Sequence, residues 1–295
     1  TITINVPQIK SATQCSNMNV GNQLAYSVLF TNKETAQVMK AAVLHYPGRK
    51  PQALELDHTE CDLVPGYLLV TTFKLPQVKN KLTGLPKNLL GPVLMSSNKN
   101  SICMKPFGEH IMRDFPGCSL PTILTDDDVF KSSLSEFFPG IYSVKCVVHL
   151  YRTMARKTKC EDDISTVFGT RFRDKSHGPF SPGLIGLTPE DLNAKLAAAN
   201  LQPESAAWME SIHEKINISY SKEAFSRTLC DEESSPSTNI TESINGRLKE
   251  SLQWNLAEYR SRPRIKMTAE TINTFQISNT TDVCRSVTPH LVNVI

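Results

Sequence analysis

The densest gathering of chemistry-bearing residues is Asp57-His58-Thr59-Glu60-Cys61-Asp62, in which His58 and Cys61 are spaced as H-x-x-C. Cys146 and His149 repeat the pair downstream in reverse, as C-x-x-H. Thiolate and imidazole are the usual ligands of Zn²⁺, and two such pairs would supply the four donors of a closed tetrahedral site. Placement argues against it. The run 141–151 reads as a strand, and residues three apart on a strand point to opposite faces. His58 and Cys61 as base and nucleophile are weaker still, because neighbours in a turn rarely face each other with a third group orienting the base. Thr125 followed by Asp126, Asp127 and Asp128 reads as a helix start, where acidic residues cap the first turn and favour the dipole, with metal binding as the lesser reading of the acidic run. The segment 151–159 carries Arg152, Arg156, Lys157 and Lys159, a basic contact patch for a phosphate backbone or an acidic protein surface. Its more ordinary reading is the solvated end of a strand or loop. There is no Walker-type loop, G-x-G-x-x-G, G-x-S-x-G or H-E-x-x-H. The expectation is therefore a protein without catalytic residues, metal ligands or cofactor.

The elements that would position these residues belong to a chain of 295 residues, long enough to bury a substantial core. Lys and Arg total 32 against 29 Asp and Glu, a formal charge of +3, which excludes a polybasic binder that works by neutralising phosphates. Hydrophobic residues at 40% exclude wholesale disorder. No apolar stretch is long enough to span a membrane. The eight cysteines are spread along the chain and read as reduced, mostly buried thiols. The sequons at Asn217, Asn239 and Asn279 are expected chance matches. The chain opens at Thr1 without a secretory pattern, so either a Met was trimmed or a longer chain was cut.

Periodicity and turn chemistry give strands at 2–6, 23–30 and 66–75, and a helix over 33–45 capped by Asn32, whose tail at 43–46 fits a strand equally well. A hairpin is expected from 93–96 and 101–104 across 97–100, a short helix from 125 to 138, and strands at 141–151 and 164–172. Thr188-Pro189-Glu190-Asp191 is a strong helix start, followed by helices at 189–199, 204–216 and 222–230. A polar connector at 231–239 leads to a helix over 241–260, striped by Ile244, Leu248, Leu252, Leu256 and Tyr259. That stripe either packs on the chain's own core or embraces a partner. A last strand is expected at 265–277. The fold class is then α+β, with a β-rich trunk formed by 1–187 together with 263–295 and a helical, arm-like region at 188–262.

The linear layout resembles the herpesvirus capsid triplex protein that occurs in two copies per triplex. The resemblance is carried by Ile2-Thr-Ile-Asn-Val-Pro7, by Leu89-Leu-Gly-Pro-Val-Leu94 ahead of the expected hairpin, and by Ile111-Met-Arg-Asp-Phe-Pro-Gly-Cys-Ser-Leu-Pro121 ahead of a helix. The closing helix and the strand at Arg264-Ile-Lys-Met-Thr268 complete it. The chain departs from that family in its Ser-rich connector and in the helices near 189–216. The resemblance implies a distant member, a structural capsid subunit of the virion assembled in the host nucleus. Its partners would be a second copy of itself, a different triplex subunit and the major capsid protein, with no membrane and no specific nucleic acid. Other readings are a viral shell or matrix protein of unrelated fold, a nucleic-acid-binding protein using 152–159, and an enzyme built on Asp57, His58 and Cys61.

Overall fold

A computed structural model describes residues 13–20, 23–32, 35–37, 53–60, 66–79, 86–114, 122–126, 129–170, 183–228, 236–258 and 264–284. The fold is α+β, as expected from the order of elements. Seven strands form one mixed sheet: β1 (Thr13–Val20), β2 (Gln23–Phe30), β3 (Ala53–Glu60), β4 (Tyr67–Lys79), β5 (Pro86–Ser96), β6 (Thr122–Thr125) and β7 (Tyr142–Lys145). Their order is β1-β2-β5-β4-β3-β6-β7. The strands from β1 to β3 pair antiparallel, whereas β6 runs parallel to β3 and β7 parallel to β6.

Helices cover both faces, which is why β4 and β5 are apolar on both sides. One face packs α1 (Ser101–Asp114) and α2 (Val129–Ser135) through Met104, Phe107, Ile111, Phe130 and Leu134 onto Leu54, Leu56, Leu69 and Leu94. On the other face, α9 (Asn239–Glu258) and α10 (Arg264–Cys284) lie over Val28, Leu68, Val70 and Val93. Beside them, over β6 and β7, sits a block of short helices: α3 (Val147–Thr158), α4 (Glu161–Phe168), α5 (Pro189–Ala198), α6 (Pro203–Ser211), α7 (His213–Ser219) and α8 (Lys222–Ser226). Trp208, Met209, Ile216 and Phe225 of this block pack on Leu124 and Val144 of the sheet. No helix among the described residues is long and apolar enough to cross a membrane.

Strand 23–30 and the helices 189–199 and 241–260 stand close to their expected places. Helix α5 begins as read, with the Thr188 hydroxyl accepting from Asp191 N at 3.2 Å and Pro189 in the first turn. The helix expected over 204–216 is broken at Ile212 into α6 and α7. The strand expected at 2–6 and the connector at 231–235 lie outside the described residues.

Four expectations are corrected. Residues 101–104 are the start of α1 and not a hairpin strand, because the Asn100 side chain accepts from Cys103 N at 2.9 Å and acts as a helix cap. The strand expected at 141–151 stops at Lys145, and α3 begins at Val147, whose N–H donates to Pro236 O at 2.9 Å. Residues 164–168 of the strand expected at 164–172 are instead the end of α4, with Glu161, Asp162 and Asp163 in its first turn as the dipole favours, while 171 and 172 lie outside the described residues. The last strand, expected at 265–277, is α10. Its polar side chains serve an irregularity in the β4–β5 ladder. Gln276 Nε2 donates to Gly91 O at 2.9 Å, and Asn279 Oδ1 accepts from Leu90 N at 2.7 Å.

The described part of the stripe on α9 is core. Ile244, Leu248 and Leu252 are at most 2% exposed and pack against the chain's own sheet, so these three residues are not a free partner surface. The Leu256 side chain and Tyr259 lie outside the described residues.

Candidate functional site: a carboxylate cluster at the ends of the parallel strands

The strand register builds the site. Leu56 of β3 is level with Thr125 of β6, which in turn is level with Lys145 of β7. The next residue on each strand is therefore Asp57, Asp126 or Cys146, three reactive side chains at one level across neighbouring strands about 4.8 Å apart. This is the carboxyl end of the parallel strands, where open sheets commonly bind ligands. Helix α9 then delivers Glu242 from its first turn. The stretch leading into α9 is pinned there: Thr238 N donates to Cys146 Sγ at 3.3 Å, and the Thr238 hydroxyl donates to Glu242 Oε1 at 3.3 Å.

Alternation along β3 meets the four-residue period of α9 in a polar seam. Thr241 Oγ1 donates to the buried Glu55 Oε2 at 2.9 Å, Asn245 Nδ2 donates to Asp57 Oδ2, and Lys249 Nζ donates to Thr59 Oγ1 at 2.9 Å. These bonds fix the rotation of α9 and hence the position of Glu242.

His149, on the first turn of α3, stands among the acidic groups. Its Nε2 is 3.5 Å from Asp126 Oδ2, and its Nδ1 is 3.6 Å from Glu242 Oε1. Arg152, one turn on, has Nη1 3.4 Å from Glu242 Oε2. Asp57 is only 7% exposed, and burial together with the nearby Asp126 and Glu242 carboxylates raises its pKa from 3.8 to about 6. The Asn245 amide and His149 oppose that rise without cancelling it. Burial works against ionising the Cys146 thiol, yet His149 and the Thr238 N–H outweigh it and hold its pKa below the ordinary value. The Cys146 sulfur raises His149, against burial, and Asp126 and Glu242 add to the rise.

The structure separates the residues that the sequence grouped, and gathers others from afar. His58 faces away from Asp57, and its part-buried ring lies tilted against Phe130 at 4.6 Å between ring centroids. Cys61 lies outside the described residues, as do Asp127 and Asp128. The argument that Cys146 and His149 point apart fails, because the segment is a helix start, where residues three apart share a side. The basic residues lie on and just beyond α3: Arg152, Arg156 and Lys157 are exposed on the helix, and Lys159 ends it with φ 53°. Arg156 and Lys157 also suit the negative end of the helix dipole. Glu242 was missed entirely. Its only sequence signal is a carboxylate in the first turn of a long helix. For the two aspartates the signal is a position at or just after a strand.

No family model and no curated protein matches the chain.

Proposed function

We propose that the protein is a divalent-cation-dependent phosphoryl-transfer enzyme that acts on the phosphodiester backbone of a nucleic acid. The observation that carries this reading is the convergence of Asp57, Asp126 and Glu242 from β3, the end of β6 and the first turn of α9. Burial and, after it, the neighbouring Asp126 and Glu242 carboxylates raise the Asp57 pKa, so part of that rise records negative charge that a bound cation would offset. Hard oxygen donors from rigid elements suit Mg²⁺ or Mn²⁺. Such cations, when bound, lower the pKa of attacking water and stabilise charge on the transferring phosphate.

The chain's own residues hold this arrangement. Asn245 orients Asp57, while Thr238 and Arg152 hold Glu242. Lys249 places an ammonium two residues along β3 from Asp57, where a phosphate entering the site would meet it. Arg152 begins the basic surface at the cluster, and Arg156 continues it one turn away, its Nε donating to Arg152 O at 3.2 Å. A cationic helix leading away from the carboxylates supplies a track for a nucleic-acid backbone. The strand order β5-β4-β3-β6-β7 sets the parallel strands β3, β6 and β7 side by side at one edge of the sheet, with their carboxyl ends at the cluster.

This reading replaces the expectation of a non-catalytic protein. The capsid-subunit reading rests on short segments, one of which lies inside β5 and another inside α10, and it leaves the carboxylates unused. The test is cleavage of end-labelled DNA and RNA with Mg²⁺ or Mn²⁺. Wild-type protein should cut and Glu242→Gln should not, while both keep the same far-ultraviolet circular dichroism. Cleavage that persists in Glu242→Gln would remove the proposal.

A further inference from the structure

One group at the same corner has a different chemistry from the carboxylate set. Cys146 Sγ, His149 and Glu242 present one sulfur, one nitrogen and one oxygen donor within 4.8 Å of one another. The C-x-x-H spacing makes this local: Cys146 stands at the N-cap position of α3 and His149 sits in its first turn, so the two side chains share a side. Glu242 comes from α9, locked to Cys146 through Thr238.

We infer that Cys146, His149 and Glu242 form a site for a thiophilic, borderline-soft divalent cation of the Zn²⁺ type. Sulfur selects such ions over Mg²⁺, and a mixed S, N, O set is a standard tetrahedral donor set for them. The His149 Nδ1 is buried and faces Glu242 Oε1 at 3.6 Å. That distance is close to the tetrahedral edge of about 3.3 Å set by bonds of roughly 2.0 Å. The outer contacts a zinc site needs are present. Asp126 Oδ2 stands 3.5 Å from the other ring nitrogen of His149, the carboxylate–histidine arrangement that orients a metal-bound imidazole. Thr238 N–H points at the sulfur, and the Thr238 hydroxyl and Arg152 engage Glu242. The site is not sealed, since the His149 side chain is 34% and that of Glu242 28% exposed, which leaves room for entry and for a water as fourth ligand.

The site shares Glu242 with the carboxylate set, so filling it with zinc withdraws that carboxylate and inhibits Mg²⁺-dependent cleavage. This consequence rests on the proposed function, whereas metal binding itself does not.

The experiment titrates the chelator-treated full chain with Co²⁺ and displaces it with Zn²⁺. One equivalent of Co²⁺ should bind per chain, giving a thiolate-to-cobalt band in the near ultraviolet and the visible absorption of four-coordinate cobalt. Both should vanish on adding equimolar Zn²⁺ and persist in excess Mg²⁺. Cys146→Ser should lose the thiolate band. His149→Ala and Glu242→Gln should each weaken Co²⁺ binding at least tenfold, so the inference stays testable if one variant fails to fold. Equal cobalt spectra and affinities in wild type and the folded variants would overturn the site. Zinc binding without any cleavage activity would overturn the proposed function alone. Cleavage by a protein that takes up no cobalt or zinc would overturn this inference alone.

Discussion

Replacing Asp57 by Asn should make the protein more stable at neutral pH. The carboxyl is 7% exposed and its folded pKa is about 6 against an unfolded value of 3.8. Because the pKa is raised on folding, the native state prefers the protonated form. Below pH 3.8 the group is protonated in both states and opposes folding least. Between pH 3.8 and about 6 the unfolded chain ionises while the native site resists, so stability falls as pH rises. Above about 6 the full penalty is present. At 1.36 kcal/mol per tenfold in acidity, the difference amounts to about 3 kcal/mol. Asn keeps the shape, and its side-chain oxygen still accepts from Asn245, so little packing is lost. Urea unfolding of wild type and Asp57→Asn at pH 7.5 and pH 4 is the assay. The variant should gain about 2–3 kcal/mol at pH 7.5 and well under 1 kcal/mol at pH 4. Mn²⁺ should narrow the neutral-pH gap by binding wild type more tightly than the variant. A variant that is equally or less stable at pH 7.5 would refute the claim that burial and the neighbouring carboxylates penalise the ionised Asp57.

Other outcomes follow from the packing and the surface. Leu248→Ala, at a fully buried position between α9 and the sheet, should cost about 2–5 kcal/mol in urea unfolding, as expected for core and not for a partner surface. Thr188→Ala removes the hydroxyl that accepts from Asp191 N and should cost about 1 kcal/mol, with Thr188→Ser restoring most of it. Neutralising Arg156 and Lys157 together should weaken DNA binding similarly across sequences. The slope of log affinity against log salt should fall by about 2, one for each lost phosphate contact, with thermal stability nearly unchanged.

The sequence carried the helical block well and the sheet only partly. Where capping was explicit, as at Thr188-Pro189, the helix began where it was read. Where apolar and β-branched residues ran together, strand and helix were not separable by pattern. The segment around Val147 and Val148 has strand propensity, yet α3 starts there because Val147 N–H is taken by Pro236 O and the Arg156 and Lys157 charges suit the far end. Helix α10 was hidden for another reason. Its inward face includes Gln276, Asn279 and Thr280, which bond the sheet backbone and Thr35, so its apolar period is weak. The site suffered most from this. A strand over 141–151 would point Cys146 and His149 apart. In the sequence Asp57 and Asp126 stand out only as members of local acidic runs. Their partner Glu242 lies beyond the whole helical block, and only the register of β3, β6 and β7 with the seam on α9 unites the three.

The most direct measurement is the rate of Mn²⁺-dependent DNA cleavage by wild type, Asp57→Asn, Glu242→Gln and the double variant. Carboxylates that hold cations as one unit are strongly non-additive, so each single change should abolish nearly all of the rate and the double variant should lose little more. Cleavage that survives both single changes, or losses that simply multiply in the double variant, would contradict the account.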